Sequence, residues 1–183
     1  MKAAVVSASD ATPEYGDFPE PQVNDGYELV ELVAAGLHPI VRSLAAGRHY
    51  GSTQSWPLVP GVDVVARTPA GDFVYSGFVR PPYGTFAERM AVPKTMRISL
   101  PAGADPVKVA AGLNPAFASW LPLKARVREI ESLATVLILG VTGMAGYLAV
   151  QHARLLGASR VVGVGRNPAR LARVAALGAA TLP

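Results

Sequence analysis

The stretch Thr135-Val-Leu-Ile-Leu-Gly140-Val-Thr-Gly143-Met-Ala-Gly146 decides the fold of the second half of the chain. Its first five residues are a continuous apolar run of strand length, which is typical of a parallel strand buried on both faces. Helical periodicity begins at Gly143 and stops at Gly157. A second strand at residues 159–165, a second helix from Asn167 and the start of a third strand follow. The pattern therefore predicts a parallel strand–helix–strand unit.

The joint between the first strand and its helix has the spacing Gly-x-x-Gly-x-x-Gly, a variant of the dinucleotide-binding fingerprint. Small residues let the backbone turn tightly and approach a pyrophosphate, while the helix N-terminus offers free amides and a positive dipole end. A glycine-rich unit that binds no ligand is the alternative. The candidate cofactor-binding residues of this bend are Gly140, Thr142, Gly143, Met144, Ala145 and Gly146.

The end of the second strand predicts which dinucleotide would bind. In NAD-binding units an Asp or Glu about 20 residues downstream holds the ribose 2′-hydroxyl. This chain has no acidic residue after Glu131, and the corresponding region reads Val164-Gly-Arg-Asn167. A guanidinium at this position can bind a 2′-phosphate that a carboxylate would repel. We therefore expect NADP(H), with these further candidates: Gly165, Arg166, Asn167 and Arg170.

The first hundred residues have a different pattern. Short apolar segments alternate with Pro- and Gly-containing turns, which favours a compact β-barrel or sandwich. We predict strands at residues 2–7, 28–34, 57–66, 72–75 and 85–92, and a short helix at 39–46. Helical segments are predicted at 105–114 and 117–125, with Asp105 as an N-cap. The expected domains are residues 1–104 and 105–183, an α/β plus β architecture.

Composition excludes several classes of function. The chain of 183 residues has no cysteine, so neither a disulfide framework nor a Cys-ligated metal site can form. No stretch is long and apolar enough to span a membrane. The net charge of +4 is uneven, because the part after Ala91 holds eleven of the 17 basic residues and three of the 13 acidic ones. We expect no nucleic-acid partner, since aromatic residues do not alternate with the basic ones.

Several further segments, in this order and spacing, resemble the medium-chain dehydrogenase/reductase superfamily, and most closely its zinc-free quinone oxidoreductase branch. The resemblance covers essentially the whole chain. It implies a GroES-like domain, a Rossmann unit, and hydride transfer from NADPH to a quinone, enone or other carbonyl. The segments that carry it are Gly36-Leu-His-Pro39, Pro60-Gly-Val-Asp63, Gly84-Thr-Phe-Ala-Glu88, Ala110-Ala-Gly-Leu-Asn114, Gly140 to Gly146, Ala149-Val-Gln-His-Ala153 and Leu155-Leu-Gly-Ala158.

The chain departs from the zinc-dependent members of that superfamily. Those proteins have a Cys after the early glycine and a later Gly-His-Glu, where this chain has His38 and Gly61-Val-Asp63. One imidazole cannot hold a catalytic zinc, which takes three protein ligands, so we expect no metal. The resemblance makes His38, Asn114 and Tyr50 the candidate catalytic residues, with Ser119 and Tyr83 as further candidates. A purely structural role is the alternative for His38 and both tyrosines.

The predicted nucleotide unit has two complete strands and the start of a third, whereas a doubly wound dinucleotide domain uses six. At about 30 residues per βαβ unit, on the order of 100 residues are absent. Two hypotheses follow. Either the chain is a fragment of a cytoplasmic NADPH-dependent oxidoreductase that forms homodimers when full length, or it is a complete, catalytically inactive GroES-like and half-Rossmann module that acts as a binding or assembly partner.

Overall fold

The computed structural model describes residues 1–77, 79–130 and 133–183. These residues form two compact units, Met1–Ala111 and Gly112–Pro183. The boundary lies inside a long helix, so that helix begins in the first unit and ends in the second. The domain division at residues 104 and 105 stays a prediction.

The first unit is built around an antiparallel sheet of five strands in the order β6-β3-β4-β5-β7. A separate two-stranded ribbon, β1-β2, is joined to it by an isolated bridge between Ala3 and Ala87. A short helix, α1, follows β3. The elements are β1 Lys2–Val5, β2 Glu14–Asp17, β3 Tyr27–Ala35, α1 Pro39–Ala45, β4 Asp63–Arg67, β5 Phe73–Gly77, β6 Arg89–Pro93 and β7 Ile98–Ser99.

The strand predicted at residues 57–66 is wrong in its first half, because only Asp63–Arg67 is a strand. Pro57 and Pro60 have no amide to donate to a sheet, and Gly61 has a φ of +116°. A side chain at Gly61 would also collide with the Thr85 hydroxyl, 2.2 Å from the added carbon. The sequence analysis missed β2 and β7, which are short and carry no apolar run.

Helix α2, Pro106–Val127, is continuous, so the prediction of two separate segments is wrong. Pro115 and Pro122 lie inside it, and each removes one amide donor. The helix nevertheless continues past both prolines, because the other residues keep their backbone hydrogen bonds. Asp105 is confirmed as the N-terminal cap. Its Oδ1 accepts from the backbone amides of Val107 and Lys108 at 3.0 and 3.2 Å, and these bonds hold the pKa of its carboxyl below the ordinary value.

The second unit contains a parallel three-stranded sheet in the order β10-β9-β8. Together with the antiparallel first unit, it confirms the predicted α/β plus β class, a GroES-like unit followed by a partial Rossmann unit. Its other two elements are the helices α3 and α4. The elements are β8 Thr135–Leu139, α3 Met144–Leu155, β9 Arg160–Val164, α4 Pro168–Ala175 and β10 Ala180–Leu182.

The expectation that β8 is buried on both faces holds for one face only. Ile138 is buried in the core that α3 and α4 form with the sheet, where it joins Val150, Val161 and Val174. On the opposite face Leu137 and Leu139 are 60% and 74% exposed. The difference arises because α3 and α4 both contribute to the core on the face of the sheet that holds Ile138.

Candidate functional site

The glycine bend connects β8 to α3 and is held by the end of β9. The amides of Gly140 and Val141 both donate to the carbonyl of Val164, at 3.0 and 3.1 Å. Gly140 has a φ of +73°, a left-handed conformation that favours glycine. Gly143 caps α3 without offering a side-chain acceptor, so the first amides of that helix are left available to an external anion.

The three glycines of the bend have different surroundings. A side-chain carbon at Gly146 would lie 2.6 Å from the carbonyl oxygen of Gly140 and from Cα of Val141. Gly146 is therefore required for the helix to pack against the bend. A side-chain carbon at Gly140 would meet nothing within 4 Å, and one at Gly143 would meet only the Gly140 carbonyl at 3.8 Å. The space above these two glycines is consequently open to a ligand.

The two predicted cofactor segments lie side by side. Gly165, which follows β9, is so close to the bend that an added carbon would be 2.7 Å from Cγ2 of Thr142. The next residue, Arg166, is exposed, and no acidic residue forms an ion pair with it within the described parts of the chain. Arg166 thus directly follows Gly165, the residue that approaches the bend, and has no ion-pair partner in the described part of the chain.

The remaining candidates of this segment differ in their roles. Asn167 caps α4, because its Oδ1 accepts from the Arg170 amide at 3.0 Å. This bond gives Asn167 a structural function that needs no ligand. The side chain of Arg170 is exposed on the first turn of α4, and Met144 and Ala145 begin α3.

The first unit holds a second polar cluster around His38. Nε2 of His38 lies 3.2 and 3.3 Å from the two carboxylate oxygens of Asp63. The Tyr75 hydroxyl donates to Asp63 Oδ2 at 2.7 Å. The site prediction included His38 and missed both partners. Asp63 stood in the quoted Pro-Gly-Val-Asp segment, but its contact with a residue 25 positions away has no local sequence signal.

The structure makes room for the His38 ring at Gly36. A side-chain carbon at Gly36 would lie 2.2 Å from Nε2 of His38 and 2.8 Å from the carbonyl oxygen of Ala110. His38 precedes α1 as its N-cap residue, yet its side chain makes no capping hydrogen bond. The ring is directed at the carboxylate instead, which leaves the first amides of α1 without a side-chain acceptor from that residue.

The two tyrosine candidates have different environments. Tyr50 is 99% exposed, and its ring lies 4.1 Å from that of His49. Tyr83 packs edge-on against Phe18, and its hydroxyl donates to the carbonyl of Glu20 at 3.2 Å. Tyr83 therefore has a structural role in the first unit, whereas Tyr50 contributes almost nothing to its core.

Asn114 and Ser119 lie on α2 within the second unit, and both are half-buried. The Ser119 hydroxyl is 2.9 Å from Nδ1 of His152 on α3. The Trp120 ring meets the same imidazole edge-on, with ring centroids 5.3 Å apart. Ser119, Trp120 and His152 thus connect the two helices, a contact that the sequence analysis did not foresee.

Acidification is expected to destabilise the second unit through His152. Burial lowers the pKa of this imidazole below its ordinary value of 6.5, so the folded form binds a proton less well than the unfolded form does. The stability is therefore fully present above about pH 6.5 and decreases as the pH falls through the unfolded and then the folded pKa. Urea unfolding monitored by tryptophan fluorescence should show the loss. His152→Gln should reduce it, and an equal loss in that variant would contradict the assignment.

Among the described residues, no group of three or more His, Cys, Asp or Glu side chains is arranged to hold a metal ion. None of the helices in the described ranges combines the length and apolarity that crossing a bilayer requires.

The architecture defines a class of protein. An antiparallel β unit is followed by a parallel unit whose first strand leads through a glycine bend into a helix, as in proteins that join a GroES-like domain to a Rossmann domain. No protein-family model matches the chain.

Individual proteins are similar to the chain over almost its whole length. The chain is 29% identical to the curated "Probable NADPH-dependent quinone reductase tdiC" of Emericella nidulans, over 97% of this chain and 58% of that protein. The quinone oxidoreductase of Thermus thermophilus has a TM-score of 0.84 and 31% identity over 99% of this chain and 59% of its own. An alcohol dehydrogenase superfamily protein of Novosphingobium aromaticivorans has a TM-score of 0.84 and 28% identity over 100% and 58%.

The predicted resemblance is confirmed: the chain is similar to the quinone oxidoreductases of the medium-chain dehydrogenase/reductase superfamily. It spans somewhat less than three fifths of the length of these relatives.

Proposed function

We propose that the protein containing this chain is an NADPH-dependent oxidoreductase that reduces a quinone, an enone or another carbonyl compound without a metal. The observation that supports the proposal is the close approach of Gly165, the residue before Arg166, to the glycine bend: a side-chain carbon added at Gly165 would lie 2.7 Å from Cγ2 of Thr142. The matched curated relative has NADPH-dependent quinone reductase in its name, and the matched Thermus thermophilus enzyme was crystallised in complex with NADPH.

The residues of the bend fit the diphosphate of such a cofactor. The first amides of α3 have no side-chain cap, and the space above Gly140 and Gly143 is open. The first turns of α3 and α4 contain no acidic residue that would repel a phosphate. We assign diphosphate binding to Gly140, Thr142, Gly143, Met144, Ala145 and Gly146.

The segment after β9 fits the additional phosphate of NADPH. Arg166 can form paired hydrogen bonds to a phosphate, and Arg170 lies one turn into the following helix. Gly165 allows the close approach of the strand end to Thr142, and Asn167 fixes the start of α4. When bound, NADPH supplies the hydride for the reduction. We assign His38, Asn114 and Tyr50 to the substrate side of the reaction.

Three further properties are part of the proposal. The quinone or carbonyl substrate is a small molecule, the active form is a homodimer, and the enzyme is cytoplasmic. The absence of cysteine is compatible with the last of these, since such a chain needs no oxidising compartment to fold.

NADPH oxidation tests the proposed function. The protein should oxidise NADPH in the presence of at least one member of a panel of quinones, enones and aldehydes, and EDTA should leave the rate unchanged. Intrinsic fluorescence of bound NADPH reports binding separately from turnover. Binding without turnover across the whole panel would favour the binding-module hypothesis. Loss of turnover with EDTA, restored by zinc, would overturn metal independence.

A further inference from the structure

Two side chains of the first unit converge from separate elements on one buried carboxylate. Asp63 begins β4 and is 3% exposed. In the antiparallel register Val65 lies opposite Tyr75, and Gly77 lies opposite Asp63. Tyr75 is thus the diagonal neighbour of Asp63 on the same face of the sheet, and Gly77 puts no side chain between them. His38 approaches from the start of α1.

The two oxygens of the Asp63 carboxylate differ in their hydrogen-bond partners. Oδ2 accepts from the Tyr75 hydroxyl and meets the His38 ring. Oδ1 is buried without a well-aligned donor among the described residues, and Nε2 of His38 lies 3.2 Å from it. Burial, and then the adjacent carboxylate, raise the pKa of Tyr75, so its hydroxyl stays protonated and can only donate to Asp63. The protonated Tyr75 hydroxyl does not take the negative charge from the Asp63 carboxylate, so this charge can orient the His38 ring.

The second ring nitrogen of His38, Nδ1, differs from Nε2 in its surroundings. Within the described ranges no protein atom forms a hydrogen bond with Nδ1 of His38, and the ring does not cap α1. The side chain is 12% exposed, against 5% for the Asp63 side chain. A ring held at Nε2 by a buried carboxylate, with Nδ1 free, has the arrangement of an oriented proton donor.

We propose that Asp63, held by Tyr75, is a positioning residue that fixes the His38 ring so that Nδ1 donates a proton to the substrate. The inference rests on the proposed function, because reduction of a carbonyl compound by hydride also consumes one proton. The Nδ1–H bond of the imidazolium breaks, its electron pair stays on nitrogen, and a new O–H bond forms on the substrate oxygen. The neutral ring keeps its Nε2–H on Asp63, and a proton from solvent water restores the imidazolium.

Two variants separate this role from a contribution to folding. Asp63→Asn removes the charge and should lower kcat about 30-fold with a smaller change in KM. Tyr75→Phe should lower kcat about tenfold, since a hydrogen bond to a charged group is lost. The matched control is Thr85→Val, which removes a buried hydrogen bond to the Asp63 backbone carbonyl, 3.0 Å long, and leaves the carboxylate untouched.

The ¹⁵N chemical shifts of the His38 ring give a readout that does not require turnover. The neutral wild-type ring should carry its proton on Nε2, and Asp63→Asn should change that tautomer ratio while Thr85→Val should not. An unchanged tautomer ratio in Asp63→Asn, or a neutral ring protonated on Nδ1 in the wild type, would overturn the inference. If the wild-type protein oxidises no NADPH, the proposed function fails and the donor role fails with it. If the wild-type protein oxidises NADPH and Asp63→Asn is equally active, only the donor role is contradicted.

Discussion

Gly146→Ala is expected to unfold the second unit or to destabilise it by about 3 kcal/mol or more. The added carbon would lie 2.6 Å from both the Gly140 carbonyl oxygen and Cα of Val141. These atoms belong to the backbone, so a side-chain rotation cannot relieve the collision. The bend would have to move away from α3, which would also separate the glycines from the first amides of the helix. Urea unfolding and NADPH fluorescence should both report the loss.

Gly143→Ala is the matched control for that experiment. An added carbon there meets only the Gly140 carbonyl at 3.8 Å, which is an ordinary contact. The variant should therefore keep the stability of the wild type while NADPH binding weakens, because the new methyl group fills space proposed for the diphosphate. Wild-type stability in Gly146→Ala would show that the close packing of helix and bend is not required.

Arg166→Asp is expected to weaken NADPH binding on the order of 10³-fold while NADH binding stays the same or improves. The substitution removes the guanidinium and places a carboxylate where the 2′-phosphate would lie, so repulsion adds to the lost hydrogen bonds. NADH has a hydroxyl there, which an acidic side chain can hold. Arg166 is exposed and has no acidic partner among the described residues, so its replacement should leave the fold intact.

Arg173→Asp provides the comparison for the Arg166 experiment, because it makes the same change of charge at an exposed position in the last turn of α4. It should alter NADPH affinity only through long-range electrostatics, which added salt suppresses. Titrations of both cofactors against both variants give the four dissociation constants required. Equal losses for NADPH and NADH in Arg166→Asp would show that this arginine does not distinguish the two cofactors.

The second unit could be predicted closely because its signals are local. An apolar run, a glycine spacing and helical periodicity each lie within about 25 consecutive residues, and the structure has β8, the bend and α3 in that order. The approach of Gly165 to Thr142 also follows from local geometry, since neighbouring parallel strands end at the same edge of a sheet.

The polar clusters could not be predicted, because they depend on contacts between distant segments. His38 and Asp63 are 25 positions apart, and Ser119 and His152 are 33 apart. Asp63 was read as part of a family segment and not as a partner for His38. The continuity of α2 was also missed, since Pro115 predicts a helix end from local rules that the rest of the helix overrides.

The exposed leucines of the parallel sheet have a physical consequence for the behaviour of the chain in solution. Strand register aligns Leu139, Val164 and Leu182 in one row, and Leu137, Val162 and Ala180 in the next. In these rows three leucines, Leu137, Leu139 and Leu182, are more than half exposed, and they lie on the two outer strands of the sheet, β8 and β10. Exposed apolar surface of this kind promotes self-association. The tendency of the 183-residue chain to aggregate should therefore depend on these leucines more than on its net positive charge.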